Sequence, residues 1–250
     1  VCTSKIRLGS LVTCNGFRNP ALLAKMVATV DVISNGRVEL GLGSGVQKAE
    51  HQALGFNFCG LKNRVDQLRE AVEVIVGLWS KEQTSFNGKY YRIEDAFCVP
   101  KPIQKPYVPI TIGGASKYTL EVTAQFANRC DFGFLGCFDA YKERLALLAE
   151  LCEVYGRRFV ELEKACWPFG QISLVADDSL VEGTVNRLKP ANVSLEDFEK
   201  VCFVGTAQDL VEKLRAYVDL GVSHFMLNFE GLPDLSGLKV FANQVACKLV

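Results

Sequence analysis

Two glycine-rich stretches are candidate ligand-binding turns. Each follows a short apolar run and places glycines and small hydroxyl side chains where a strand would pass into a helix: GLGSG at 41–45 and GGAS at 113–116. Such a turn exposes backbone N–H groups that suit a phosphate, whereas the simpler interpretation is a tight turn that needs a positive φ. Val46 breaks the dinucleotide-binding spacing G-x-G-x-x-G, and no G-K-[ST] follows. Two such turns together therefore favour a phosphate-bearing ligand that is bound by neither the dinucleotide-binding motif nor a P-loop.

Side chains that could move protons are few near these turns. Glu50 and His51 follow the second predicted strand and are weak catalytic candidates, with a solvated helix face as the commoner alternative. Cys14 ends the first predicted strand, but no histidine obviously pairs with it, so we expect it to serve packing. No G-x-S-x-G motif is present. A site poor in acids and bases but rich in phosphate-type turns indicates that a bound cofactor carries the chemistry.

The composition argues against several other classes of protein. Ten cysteines are spread singly with no C-x-x-C pair, and there are two histidines, which argues against a metal site. We expect free thiols and a reducing, cytoplasmic setting. Lys plus Arg and Asp plus Glu both total 28, which argues against a strongly basic nucleic-acid binder. No apolar run reaches the roughly 18 residues that a membrane-spanning helix needs.

Short apolar runs alternate with longer helical stretches. The runs predict six parallel strands covered by helices, at 6–13, 37–43, 109–114, 131–136, 171–177 and 224–229. Asn19-Pro20 predicts the start of a first helix, which ends at Gly36. That helix carries one apolar stripe of Leu22, Leu23, Met26, Val27, Val30 and Ile33. Further helices are predicted at 61–80, 116–129, 138–157, 178–189, 206–221 and 235–249.

The alternation allows an open doubly wound sheet or a closed (β/α)8 barrel. The chain shows six strand–helix units, fewer than a barrel of this type uses. One segment, at about 81–108, interrupts the pattern. In it, Asn87-Gly88 predicts a type I′ hairpin turn, and prolines follow at 100, 102 and 106. We interpret this segment as a flap inserted into a single domain that spans residues 1–250.

Several motifs together resemble one enzyme family. They are NGFRNPALLAKM, GRVELGLGSG, GKYYRIEDAF, VPITIGGAS and VGTAQDLVEKL, within the longer stretches 3–45, 88–133 and 204–229. These stretches cover nearly half of the chain, follow one another in the family's order, and resemble the luciferase-like monooxygenase superfamily. The similarity is greatest to the branch that uses the deazaflavin coenzyme F420.

The resemblance implies a TIM (β/α)8-type barrel with the cofactor ring at the carboxyl ends of the strands. It also implies a non-prolyl cis peptide bond behind the ring, at Ser10–Leu11 or one residue later. The implied cofactor contacts are Ser10 and Leu11 behind the ring, Thr13 near its pyrimidine side, Gly43, Ser44 and Gly45 along the ring and ribityl chain, and Gly114, Ala115, Ser116 and Thr119 at the phosphate.

The chain departs from the family pattern in two places. Val46 stands where the family's sugar-phosphate dehydrogenase carries a proton-donating acid, which argues against that activity. Members also carry two strand–helix units before the TSKIRLG strand. We therefore expect a barrel that is incomplete at its N-terminus, with six of eight units, in a fragment or a truncated or diverged member. The resemblance further implies a homodimer.

Three functions follow as expectations. The first is an F420-dependent oxidoreductase that transfers a hydride between the deazaflavin and a small organic substrate. The second is an FMN-dependent monooxygenase supplied by a partner flavin reductase. The third is a non-catalytic barrel, truncated or completed by a partner chain. Candidate pocket walls, with ordinary core packing as the alternative, are Phe17, Phe56, Phe58 and Phe134.

Overall fold

Parallel strands alternate with helices along most of the chain. The computed structural model describes residues 3–133, 135, 137–168, 172–229 and 233–249. The chain divides into two compact units, one of residues 1–130 and 148–162, the other of residues 131–147 and 163–250.

The first unit holds most of the predicted barrel strands. Its strands are β1 (Leu8–Gly9), β2 (Thr13–Cys14), β3 (Val38–Gly43), β4 (Thr84–Asn87), β5 (Arg92–Ala96), β6 (Ile110–Gly113) and β7 (Arg129–Asp131), whose last residue belongs to the second unit. Its helices are α1 (Pro20–Ser34), α2 (Lys48–Ala53), α3 (Leu61–Ser80) and α4 (Lys117–Phe126).

Strand β3 is the centre of this unit's sheet. Both β1 and β2 pair with β3, which pairs in turn with β6, all in parallel. Strand β7 lies next to β6. Buried Leu40 and Leu42 on β3, with Ile110 and Ile112 on β6, belong to a core that also takes in the apolar face of α3. Because the strands are parallel, the carboxyl ends of β2, β3 and β6 meet at one edge.

The second unit has two parallel strand pairs. Its elements are α5 (Phe138–Val154, which runs on into the first unit), β8 (Glu163–Cys166), β9 (Ile172–Leu174), α6 (Val181–Leu188), α7 (Leu195–Val201), β10 (Phe203–Gly205), α8 (Ala207–Asp219), β11 (Val222–Phe225) and α9 (Ser236–Gln244). Strand β8 pairs with β11, and β9 with β10. Their core includes Ile172, Phe203, Leu210, Leu214 and Phe241.

Several helices begin where their capping residues predict. The Asn19 side chain accepts hydrogen bonds from the backbone N–H groups of Ala21 and Leu22, at 2.8 and 3.3 Å, ahead of α1. Thr206 and Asp209 form a reciprocal capping box at the start of α8. Helix α3 has the predicted bounds. Within the described part of the chain, no helix is long and apolar enough to cross a membrane.

Three strand predictions were wrong, one of them because the run 224–229 begins two residues after the start of β11 (Val222–Phe225) and continues four residues past its end. The run 6–13 is not one strand, because residues 10–12 leave the ladder between β1 and β2. The run 131–136 begins too late, because β7 covers Arg129–Asp131; Phe134 and Gly136 lie outside the described residues. Strand β8, with the sequence EKAC, escaped prediction because it begins with two charged residues rather than an apolar run.

The hairpin turn also differs from its prediction. Asn87 is the last residue of β4, and residues 88–91 connect it to β5. The Gly88 N–H donates to the Tyr91 carbonyl over 2.9 Å. A type I′ turn at Asn87-Gly88 needs a positive φ at both positions, and neither residue has one. The connection is therefore a longer turn.

The apolar stripe predicted for α1 splits into two faces. Leu23 and Val27 are buried, whereas Leu22, Met26, Val30 and Ile33 are exposed. Adjacent residues in a helix point about 100° apart, so 22 and 23, like 26 and 27, cannot face the same neighbour. Only one residue of each pair, Leu23 or Val27, therefore faces the core.

Candidate cofactor site

A bulge at residues 10–12 separates β1 from β2. The peptide bond Leu11–Val12 is cis, at the later of the two predicted positions. The Ser10 hydroxyl donates to the Gly41 carbonyl over 3.0 Å and accepts from the Gly41 N–H over 3.3 Å. Thr13 Oγ1 in turn donates to Ser10 Oγ over 2.9 Å. Ser10 and Thr13 therefore fasten the bulge to β3, and Leu11 is left exposed at its tip.

The glycines of β3 and β6 make room for this bulge. A Cβ added at Gly41 would overlap the Ser10 carbonyl oxygen. A Cβ at Gly43 would lie 2.8 Å from Val12 Cγ2, and one at Gly113 would lie 3.1 Å from the same atom. Real Cβ atoms almost never come within 3.0 Å of a non-neighbouring heavy atom. Packing against the bulge therefore explains the glycines at 41 and 43, which were expected to belong to a phosphate-binding turn.

The two glycine turns lie side by side. Gly43 and Gly113 are partners in the β3–β6 register, so the segments that follow them leave the sheet at the same edge. The first turn continues through buried Ser44 to Gly45, which has φ +81°. A Cβ at Gly45 would lie 2.7 Å from His51 Cε1 and 2.8 Å from Cys14 Sγ. Both the backbone conformation and the close approach therefore require glycine at 45.

The second turn leads into α4. Gly114 has φ +131°, and a Cβ there would lie 3.1 Å from Thr119 Cγ2. Ser116 caps the helix, since its hydroxyl accepts the Thr119 N–H over 3.2 Å and lies 2.9 Å from Thr119 Oγ1. Thr119 is buried, whereas Gly114, Ala115 and Ser116 are partly exposed. Thr119 therefore holds Ser116 in place, while the preceding residues reach the surface.

His51 lies directly behind the first turn. Its Nδ1 is 2.8 Å from the Gln47 carbonyl oxygen, and its Nε2 is 3.7 Å from Cys14 Sγ. A carbonyl only accepts, so Nδ1 carries a hydrogen, and Nε2 lies within hydrogen-bonding distance of the thiol. Burial raises the pKa of the Cys14 thiol. The pair is a hydrogen bond that fixes the turn rather than an activated nucleophile.

This pairing corrects the expectation that Cys14 has no histidine partner. The two residues are 37 positions apart, and only the parallel pairing of β2 with β3 brings their strand ends together. Glu50, the neighbour of His51, is exposed on α2. The two weak acid–base candidates therefore lie in different environments. His51 is buried, with 1% exposure, and Glu50 lies in solvent.

Three of the four predicted wall residues gather around His51. The ring centroids of Phe17 and Phe58 lie 4.5 and 4.9 Å from the imidazole. Phe56 packs on Phe17 at 5.0 Å and remains partly exposed. The fourth, Phe134, lies outside the described residues.

Sequence reasoning missed the residues that brace this edge from outside. Arg64 on α3 donates through Nε to the Gly45 carbonyl over 3.2 Å. Glu70 on the same helix accepts the backbone N–H groups of Lys89, Tyr90 and Tyr91, at 2.8–3.0 Å. The Asn15 side chain then donates to the Tyr91 hydroxyl over 3.1 Å. In the sequence, these two residues are visible only as an arginine and a glutamate six positions apart on a predicted helix. Their roles depend on contacts with the glycine turn and with the hairpin, which the sequence does not show.

Within the described residues, the cysteines and the other potential metal ligands form neither a disulfide nor a metal site. The nine cysteines within the described ranges are free thiols, and Cys2 lies outside them. In the same ranges, no group of three or more His, Cys, Asp and Glu side chains is placed to hold a metal ion.

Comparison with known proteins agrees with this geometry. The family model described as luciferase-like monooxygenase matches residues 1–169. The chain is 30% identical to a curated F420-dependent glucose-6-phosphate dehydrogenase of Segniliparus rotundus and 37% identical to one of Amycolatopsis mediterranei. Each match covers 99% of this chain and 80% of the relative.

A solved structure of an F420-dependent enzyme shows the same fold. A solved F420-dependent secondary alcohol dehydrogenase, in complex with an F420–acetone adduct, superposes with a TM-score of 0.84 at 20% identity. The match covers 100% of this chain and 81% of that one. It confirms the predicted luciferase-like TIM-barrel class. By motif, family model and fold, this chain belongs to the luciferase-like monooxygenase family.

Proposed function

We propose that this chain is an F420-dependent oxidoreductase that transfers a hydride between the deazaflavin and a small organic substrate. The observation that carries the proposal is the adjacency of the two glycine turns beside the bulge, with Gly43 and Gly113 paired in register. The F420-dependent relatives support this cofactor over FMN.

The residues at this edge fit a flat cofactor that carries a phosphate. Gly43 and Gly113 leave room for the Val12 side chain of the bulge, and Leu11 at the tip of the bulge is exposed, so a ring can rest against Leu11. The second turn offers the N-terminus of a ten-residue helix, α4, to an anion. We assign Ser10, Leu11 and Thr13 to the back of the ring, Gly43, Ser44 and Gly45 to its edge, and Gly114, Ala115 and Ser116 to the phosphate, with Thr119 holding Ser116.

When bound, F420 supplies a ring carbon that accepts or donates a hydride. The chain holds the ring against the bulge and limits water at the reacting face. His51 has no part in proton transfer in this proposal, because both of its ring nitrogens are engaged. Glu50 is exposed and remains the acid–base candidate to test.

The proposal extends to the partners as well. The substrate is a small molecule, and Val46 disfavours sugar-phosphate oxidation because it offers no acid after the turn. The homodimer and the reducing, cytoplasmic setting expected from the sequence remain part of the proposal. A flavin reductase partner belongs only to the FMN alternative.

Titration of the purified protein with F420 and with FMN tests this function. We expect saturable F420 binding that is tighter than FMN binding, and F420-dependent turnover with a panel of alcohols and carbonyl compounds. Tight FMN binding with oxygen-dependent turnover would establish the monooxygenase instead. Binding of neither cofactor would favour the non-catalytic barrel.

A matched pair of variants locates the binding. Gly114→Ala and Gly55→Ala both replace a glycine of positive φ, but the backbone cost is larger at 114, because its φ of +131° lies further from the left-handed region that alanine can enter than the +75° of Gly55; thermal unfolding therefore accompanies both binding measurements. An added Cβ meets Thr119 at 114 and nothing within 4 Å at 55. We expect weaker F420 binding from the first variant alone. Equal effects would contradict the assigned phosphate turn.

A further inference from the structure

Arg64 connects α3 to the first glycine turn. Its Nε donates to the Gly45 carbonyl over 3.2 Å, and its Nη1 donates to the Cys59 carbonyl. Its guanidinium carbon lies 3.9 Å from the centroid of the Phe58 ring. Two carbonyls and one aromatic face therefore fix the side chain in a single position.

This contact determines which way the Gly45–Val46 peptide faces. The peptide is trans, so its C=O and its N–H point in opposite directions. Since the Gly45 carbonyl points at Arg64, the Val46 N–H points away from α3. Within the described residues this N–H has no hydrogen-bond acceptor, and the Val46 residue is 80% exposed.

The opposite orientation is unfavourable. A guanidinium has five N–H donors and no acceptor. A flipped peptide would place its own N–H against that positive charge and leave Arg64 without the Gly45 carbonyl. Arg64 therefore selects one peptide orientation, and glycine at 45 supplies the φ of +81° that this orientation uses.

We propose that Arg64 is a positioning residue that aims the Val46 N–H at a carbonyl or anionic oxygen of the ligand bound at the first glycine turn. The inference rests on the proposed function only for the identity of that ligand. The proposed contact is also compatible with an apolar residue at position 46. The donor is the main-chain N–H, which every residue other than proline has.

The test uses Arg64→Gln, Arg64→Lys and a matched control, Arg69→Gln. Arg69 lies five residues further along the same helix and pairs with Glu121 of α4 at 3.5 Å. Two quantities are measured: hydrogen exchange over residues 43–51 without cofactor, and the Kd for F420. We expect Arg64→Gln to speed the exchange and to weaken F420 binding about tenfold. Lysine should restore part of both, because it offers one ammonium in place of the planar fork, and Arg69→Gln should change neither.

Val46→Pro removes the proposed donor directly. We expect it to weaken F420 binding as much as Arg64→Gln does, and thermal unfolding shows whether it has folded. If it does not fold, the two Arg64 variants decide the question.

The outcomes separate this inference from the proposed function. Unchanged exchange in Arg64→Gln would overturn the positioning role. Faster exchange with an unchanged Kd would overturn the donor role. If the unmodified protein binds FMN and not F420, the proposed function fails while the same variants, titrated with FMN, still decide the inference. Binding of neither cofactor would overturn the donor role together with the function.

Discussion

Small side chains shape the candidate site more than charged ones do. Gly41, Gly43 and Gly113 leave space for the bulge, and Gly45 leaves space for His51 and Cys14. At Gly41, Gly43 and Gly113 the close contacts come from backbone atoms and from the branched Val12, neither of which can move far. Substitution at these glycines is therefore expected to act through packing before it acts on any ligand.

Gly43→Ala should lower the free energy of unfolding by about 1–3 kcal/mol. The added Cβ would lie 2.8 Å from Val12 Cγ2. Gly183→Ala on α6 is the control, because nothing lies within 4 Å of its added Cβ. That control should stabilise the helix by about 0.5–1 kcal/mol. Chemical denaturation measures both, and equal effects would contradict the packing role of Gly43.

The Cys14 thiol should react slowly with alkylating reagents. Burial raises its pKa, and the thiolate is the reactive form. Peptide mass spectrometry after brief iodoacetamide treatment at pH 7.5 should show less labelling at Cys14 than at exposed Cys247. Faster labelling of Cys14 would mean that His51 activates the thiol.

Among the elements, strand β3 organises the first unit. It pairs with β1, β2 and β6, and its residues contact both the bulge and the turn. Near its start, Glu39 accepts a hydrogen bond from Arg7 Nε over 2.6 Å and another from Arg129 Nη1. One carboxylate thus bridges the arginine ahead of β1 and the arginine that opens β7.

Glu39→Gln should give a pH-dependent loss of stability. Burial alone would raise the pKa of Glu39, but the hydrogen bonds and charges of Arg129 and Arg7 outweigh it and lower the pKa. A carboxyl with a depressed folded-state pKa contributes stability above its unfolded pKa, and that stability is lost as the pH falls through the folded value. We expect a loss of about 1–3 kcal/mol at pH 7 that shrinks below about pH 4.

Denaturation at pH 7 and pH 3 measures this difference. Glu94→Gln is the control, because its ion pair with Arg92 spans 4.0 Å and is largely exposed. The control should change stability by less than about 0.5 kcal/mol. A loss from Glu39→Gln that stays constant with pH would show that the ion pairs are not its cause.

Local signals predicted the long helices well. Helix α3 has a clear apolar face, and Asn19-Pro20 and Thr206 mark helix starts by side-chain capping. The break in 6–13 could not be predicted in the same way. Its apolar letters are continuous, and the interruption depends on glycines of β3 across the ladder.

The position of the two glycine turns at one edge of the sheet could be predicted from local signals. Strand ends and glycine turns are local features, so the edge formed by β2, β3 and β6 followed from the pattern. The Cys14–His51 bond and the Arg64 contact join residues 37 and 19 positions apart. Such pairs depend on strand register and helix packing, which one sequence does not display.

For the molecule as a whole, every residue assigned to the cofactor lies in the first unit, between Ser10 and Thr119. The family model covers that unit, and the solved relative shares its fold over the full chain. The cofactor assignment can therefore be tested by following this one region in the intact protein.

Hydrogen exchange of the intact chain with and without saturating F420 tests the central claim most directly. We predict slower exchange in two separate segments, 43–47 and 113–119, because both glycine turns contact the bound cofactor. FMN at the same concentration should give weaker protection of the same segments. Protection of neither turn by F420, or protection by FMN alone, would contradict the account.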